Sequence, residues 1–163
     1  LETEKLLAGL TDINDKEVLL IGAGGVARAI AYAIIESHGK LTIANRTNLK
    51  SERLALELGA KTIPIEDVID SKGYLLINAT SVGMNSKDES IVRDEIIKNF
   101  EIIQDVVNPF SYQTSLLSSA IKLGKNIISG KSLSIYQAAE QFRLYTGKEL
   151  SNSDLIKISE AIS

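Results

Sequence analysis

Neither cysteine nor tryptophan occurs in this chain of 163 residues, and histidine and methionine occur once each. The missing cysteine excludes disulfides and thiolate metal sites. A single histidine, His38, excludes any site built from several imidazoles; beside Gly39, near a helix end, it reads as a surface residue rather than a catalyst. No apolar run approaches the roughly 20 residues of a membrane span. The N-terminal "LETEKLLAGL" carries acidic residues where a secretory signal would be basic. The only prolines are Pro64 and Pro109, and there is no Pro- or Gly-rich linker, internal repeat or low-complexity tract. There is no G-x-S-x-G elbow, no Walker loop ending in Gly-Lys-Ser/Thr and no metal-ligand cluster. A net charge of −3 argues against a general nucleic-acid binder, yet leaves room for a local basic pocket. The expectation is a cytoplasmic enzyme domain, or part of one, with no membrane or nucleic-acid partner.

What is present is an alternation of short apolar runs and longer amphipathic ones. The runs at 17–22, 40–45, 60–65, 73–80, 101–107 and 125–130 are rich in Ile, Val and Leu. They read as strands buried on both faces. Between most of them lie helical segments. "GGVARAIAYAIIES" keeps Ala, Ile and Tyr on one stripe. "NLKSERLALELG" offers Leu49, Leu54, Leu56 and Leu58 for packing, with Gly59 as a stop. "SYQTSLLSSAIKLG" ends likewise at Gly124. Strand alternating with helix predicts an α/β, Rossmann-type, doubly wound parallel sheet of about six strands. The expected order is 3-2-1-4-5-6, with helices on both faces. Segments "ETEKLLAGL", "SIYQAAEQFRLYTG" and "SNSDLIKISEAIS" fall outside that plan as additional helices, the last with Ser151 or Ser153 as N-cap.

The first strand runs into Gly22-Ala23-Gly24-Gly25-Val26-Ala27, which satisfies G-x-G-x-x-A. Gly22 would allow the tight turn, Gly24 the close approach of a pyrophosphate, and Ala27 the packing of helix on strand. The helix N-terminus would supply N–H groups and a positive dipole end. A plain strand–helix corner that favours small residues is the competing reading. At the end of the second strand, an NAD binder carries Asp or Glu for the ribose hydroxyls. This chain has Asn45, Arg46, Thr47 and Lys50 instead. No carboxylate would repel a 2′-phosphate there, and Arg46 can stack on adenine and pair with phosphate, so the residues point to NADP. The competing reading is a solvated basic turn with Asn45 or Thr47 as helix cap. The fourth strand leads into "NATSVGM", where Asn78, Thr80 and Ser81 would line the crevice beyond the strand ends. Each taken singly also suits an Asx or Ser/Thr turn.

Together, "GAGGVARAI", "NRT" with Lys50, "NATSVGM" and "SGKSLSIYQAAEQFRLYTG" resemble the C-terminal dinucleotide-binding domain of shikimate dehydrogenases. The resemblance covers nearly the whole chain, in the family's order. It implies NADPH-dependent reduction of 3-dehydroshikimate to shikimate, in aromatic amino-acid biosynthesis. It further implies that Gly22, Ala23, Gly24, Gly25 and Val26 hold the pyrophosphate, and Asn45, Arg46, Thr47 and Lys50 the 2′-phosphate end. Thr80, Ser81 and Val82 would line the nicotinamide side. Val106 and the backbone of Gly130 would touch the nicotinamide, with Leu133 packed on it. Gln137 would reach a substrate hydroxyl.

The chain departs from that family in two places. The family's Asp-x-x-Tyr-x-Pro is here "DVVNPFSYQT", with Asn108 at the place of Tyr; Tyr112 could substitute only in a rearranged loop. Leu133 stands where the family commonly has Met. The family's substrate domain, which binds and protonates substrate, is also expected to be absent. Residues 1–163 would then be one NADP-binding domain, with 1–16 and 131–163 adjoining the missing partner. Such a chain is expected to have negligible turnover alone. Rival expectations are a glutamyl-tRNA-reductase-like NADP domain and a non-catalytic nucleotide-sensing domain.

Overall fold

A computed structural model of the chain describes residues 13–109 and 111–161. The helix expected over "ETEKLLAGL" lies outside the described residues. Six strands form one parallel sheet: β1 (Glu17–Ile21), β2 (Lys40–Ala44), β3 (Lys61–Ile63), β4 (Gly73–Asn78), β5 (Phe100–Asp105) and β6 (Asn126–Ile128). Their spatial order is β3-β2-β1-β4-β5-β6, as the alternation predicts. The reversal of order falls between β1 and β4, where Ile21 pairs with Asn78.

Helices α1 (Gly25–Glu36) and α2 (Asn48–Leu58) cover one face of the sheet. There Ala27, Ile30, Ala31 and Ile34 meet Val18, Leu20, Leu75 and Ile77. The alanines let α1 lie close to the strands, which the small-residue run requires. The other face is covered by a 3₁₀ segment (Ile65–Asp70), α3 (Asp94–Ile97) and α4 (Ser115–Lys122). Val68, Ile97, Leu116 and Leu117 pack there on Leu19, Ile21, Leu76, Phe100 and Ile103. Two further helices, α5 (Gly130–Thr146) and α6 (Asn152–Ala161), follow the last strand. α6 is capped by Ser151, whose Oγ accepts from Asp154 N while Asp154 accepts from Ser151 N.

Some expectations fail for physical reasons. β3 and β6 are edge strands, and neither contains a buried residue. β3 is cut to three residues because Pro64 has no N–H to continue the ladder. In α2, Leu54 is buried and Leu58 half-buried, but Leu56 is 86% exposed and Leu49 also faces solvent. One helix face cannot hold 49, 54, 56 and 58 together. Tyr32 likewise leaves the α1 stripe and donates its hydroxyl to Glu57 on α2. The 3₁₀ segment and α3 are too short for periodicity to reveal. His38 is exposed, at φ 58 just beyond the end of α1.

Candidate functional site

The ladder hydrogen bonds continue one residue beyond the strands. Gly22 N donates to Ala44 O at 2.8 Å, Ala79 N to Ile21 O at 2.8 Å, and Val106 N to Asn78 O at 3.0 Å. The segments following β2, β1, β4 and β5 therefore leave the sheet side by side, along its carboxyl edge. Every residue singled out at the ends of those strands lies on this edge.

Gly22 is required twice over. Its φ is +124°, and a Cβ there would lie 2.7 Å from Ala79 O. Gly24 and Gly25 have nothing within 4 Å of a hypothetical Cβ, so the space above them is open. Gly24 is the N-cap of α1, with no side-chain cap and no acidic residue in the first turn. The first N–H groups are thus left for an outside acceptor. Ala23 is half-buried, Gly25 and Val26 are exposed, and Ala27 is fully buried against the sheet.

Beyond β2, Asn45 Nδ2 donates to Thr47 O at 2.9 Å and shapes the turn. Thr47 takes the N-cap position of α2, but its side chain makes no capping bond. Helix capping therefore does not account for these side chains. Arg46 and Lys50 are exposed, and the first turn of α2 holds no acid. Arg28 of α1 donates to both oxygens of Glu57, near the C-terminal end of α2, at 2.6 Å. The Tyr32 and Arg28 hydrogen bonds hold the Glu57 carboxyl below its ordinary range.

The segment after β4 is built differently from the expectation. Asn78 does not line the crevice: it is buried, and its Nδ2 donates to Asp105 Oδ1 at 2.9 Å and Val82 O at 3.0 Å. Its Oδ1 accepts from Thr80 N and Thr80 Oγ1. Asn78 shapes the loop, and Thr80, Ser81 and Val82 are the residues it presents. Gly83, at φ +104°, donates to Asp88 Oδ2 at 2.8 Å and accepts from the Tyr112 hydroxyl at 2.8 Å. Tyr112 is thereby a brace for the loop.

Asp105, buried and given no site role by the sequence, closes this layer. Its signal in the sequence was its place as the Asp that opens "DVVNPFSYQT", at the end of an apolar strand. Burial pushes its carboxyl above the ordinary range, against hydrogen bonds from Thr114, Val107 and Asn78 that favour the charge. Further along the edge, Val106 is half-buried, and a Cβ on Gly130 would meet Val106 O at 2.4 Å. Only glycine lets α5 start against that backbone, so Val106 and Gly130 adjoin. Leu133 is 3% exposed, one turn into α5. Gln137 lies on α5, its side chain outside the described residues. Asn108, at the departure from the family pattern, donates to Ser134 Oγ at 3.1 Å, and Ser134 donates to Gly130 O at 3.0 Å.

The family model described as shikimate / quinate 5-dehydrogenase matches residues 4–109. The chain belongs to the shikimate / quinate 5-dehydrogenase family. A shikimate dehydrogenase (NADP(+)) of Methanococcoides burtonii is 38% identical over 152 residues, covering 85% of this chain and 52% of the relative. That of Pyrococcus abyssi is 37% identical, covering 88% of this chain and 53% of the relative. The chain spans about half the length of the curated relatives it matches. Among solved structures, shikimate 5-dehydrogenase of Thermus thermophilus in complex with NADP(H) and shikimate has a TM-score of 0.81 at 29% identity. The match covers 98% of this chain and 60% of that one. Quinate dehydrogenase of Corynebacterium glutamicum in complex with NAD also has a TM-score of 0.81, at 28% identity, covering 97% and 58%. Solved structures similar to this chain therefore include complexes with either dinucleotide.

Proposed function

We propose that this chain is the NADP-binding domain of an NADPH-dependent shikimate dehydrogenase. The observation that carries the reading is the carboxyl edge. An open glycine turn and an uncapped helix N-terminus stand beside a basic turn that lacks any carboxylate. Gly22 to Val26 would hold the pyrophosphate. Asn45, Arg46, Thr47 and Lys50 would hold the 2′-phosphate, which a carboxylate at that place would repel. Thr80, Ser81, Val82, Val106, Gly130 and Leu133 would border the nicotinamide. Leu133 is so nearly buried that it would support the ring from beneath rather than cover it.

NADPH, when bound, supplies a hydride for the carbonyl carbon of 3-dehydroshikimate. The residues named here hold and orient the dinucleotide. Gln137 is proposed to meet a substrate hydroxyl. Completing the reaction also needs a proton for the new alkoxide. We assign that step to a separate substrate domain, against which 1–16 and 131–163 would lie; the match spans only about half the length of the relatives. On this reading residues 1–163 bind NADP and turn over negligibly by themselves. The cytoplasm is the proposed location. No helix among the described residues is long and apolar enough to cross a membrane.

Calorimetric titration with NADP+ and NAD+ tests the cofactor assignment. The chain is expected to prefer NADP+ by at least about tenfold, and Arg46→Ala to remove most of that preference, given the strength of charge-assisted bonds to phosphate. Equal affinity for both dinucleotides, unaffected by Arg46→Ala, would overturn it. Assay of NADPH-dependent dehydroshikimate reduction tests the second half: turnover near that of a complete enzyme would contradict the division of labour.

A further inference from the structure

The buried end of β5 organises three separate segments through one carboxylate. Asp105 Oδ1 accepts from Asn78 Nδ2 at 2.9 Å and from Val107 N at 3.1 Å, and Oδ2 accepts from Thr114 Oγ1 at 2.7 Å. Each donor belongs to a different part of the crevice wall. Asn78 carries the bonds to Thr80 and Val82 that shape the loop after β4. Val107 adjoins Val106, and the carbonyls of both abut Gly130. Thr114 is the N-cap of α4, and its side chain lies against Gly83. None of these bonds reaches the basic turn after β2, whose polar contact is local to Asn45 and Thr47.

We propose that Asp105 is the positioning residue for the nicotinamide side of the crevice, acting through Asn78, Val107 and Thr114. This rests on the NADP reading above. Only a carboxylate offers two acceptor oxygens to three donors arriving from three directions. An asparagine would keep one acceptor and turn an NH₂ group toward another donor. The loop after β4 and the start of α5 would then lose their common anchor, while the adenosine end would keep its geometry.

The test compares two probes on the 163-residue chain. NADPH spans the whole crevice, and its reduced nicotinamide is fluorescent. Adenosine 2′,5′-bisphosphate occupies only the basic-turn end. For Asp105→Asn, NADPH affinity is expected to fall about tenfold, with loss of the emission change on binding, while the bisphosphate stays within about twofold. Unchanged NADPH affinity and emission would overturn the proposal, as would an equal loss for both probes. Should Asp105→Asn fail to fold, Thr114→Val removes one of the three bonds. It is expected to show the same one-sided loss at about threefold, and equal or absent losses would overturn the proposal. If the unsubstituted chain binds neither probe, the cofactor reading itself falls, and this proposal with it.

Discussion

Two polar residues at neighbouring positions on β5 behave in opposite ways. Asp105 is fully employed, whereas Gln104 is buried at 0% exposure with neither Nε2 nor Oε1 hydrogen-bonded. An unsatisfied buried amide is costly, on the order of 1–3 kcal/mol per group. Gln104→Met keeps the volume and deletes both groups, so the variant is expected to melt higher, by about 2–4 °C for each kcal/mol recovered in a domain of this size. Thermal unfolding followed by circular dichroism checks this; an unchanged or lower Tm would count against it. Asp105 gives a pH signature. Its folded pKa is raised, so the folded state binds more protons than the unfolded one between the ordinary Asp range and the raised value. The stabilising contribution is complete below the ordinary value and is lost as pH rises through the raised one. Asp105→Asn should flatten that slope in denaturant unfolding measured across the acid range. An identical slope in the variant would show that Asp105 does not titrate this way.

At the scale of elements, the placement of α5 depends on a single missing methyl. A Cβ on Gly130 would fall 2.4 Å from Val106 O and 2.6 Å from Val107 O, both backbone atoms that cannot turn aside. Gly130→Ala is therefore expected to cost about 1–3 kcal/mol and to displace the start of α5. Denaturant unfolding and the loss of the nicotinamide emission change would report the two effects. The N-terminus of α6 is a smaller case: removing the Ser151 hydroxyl takes its bond to Asp154 Oδ2 and one of the two acceptors of Asp154 N, leaving Ser151 O as the other. Ser151→Ala should lower amide-exchange protection in α6 and leave that of β1 and β4 unaltered. Much of this level was legible in advance. The stop glycines Gly59 and Gly124 take the left-handed conformation at φ 66 and 69, as helix ends ask of glycine. What periodicity missed was short: the four residues of α3 and the six of the 3₁₀ segment make no repeating pattern.

For the whole molecule, a net charge of −3 surrounds a locally basic turn. Exposed charges lie within reach of salt screening, with a Debye length of about 8 Å near physiological ionic strength. NADP+ affinity should thus fall with added salt more steeply than NAD+ affinity, and Lys50→Ala should reduce the difference. Parallel salt dependences would argue that the 2′-phosphate is not bound by Arg46 and Lys50. Class and strand order were readable from local chemistry, and the cofactor turn is proposed from it. Buried strands need Ile, Val and Leu, a tight turn needs glycine, and a 2′-phosphate needs cations without a facing carboxylate. Those demands act on residues close together in the chain. The roles of Asn78, Asp105, Thr114 and Tyr112 were set by partners as far as 29 positions away. Asn78 was legible as a site residue and proved to be its buried support, because only the closed sheet puts it one hydrogen bond from Asp105. Tyr112, which could replace the missing tyrosine only in a rearranged loop, is engaged instead by Gly83 O, which the fold delivers to its hydroxyl. A polar side chain's role depends on which donor or acceptor the fold delivers to it, and across that sequence distance no local pattern records the answer.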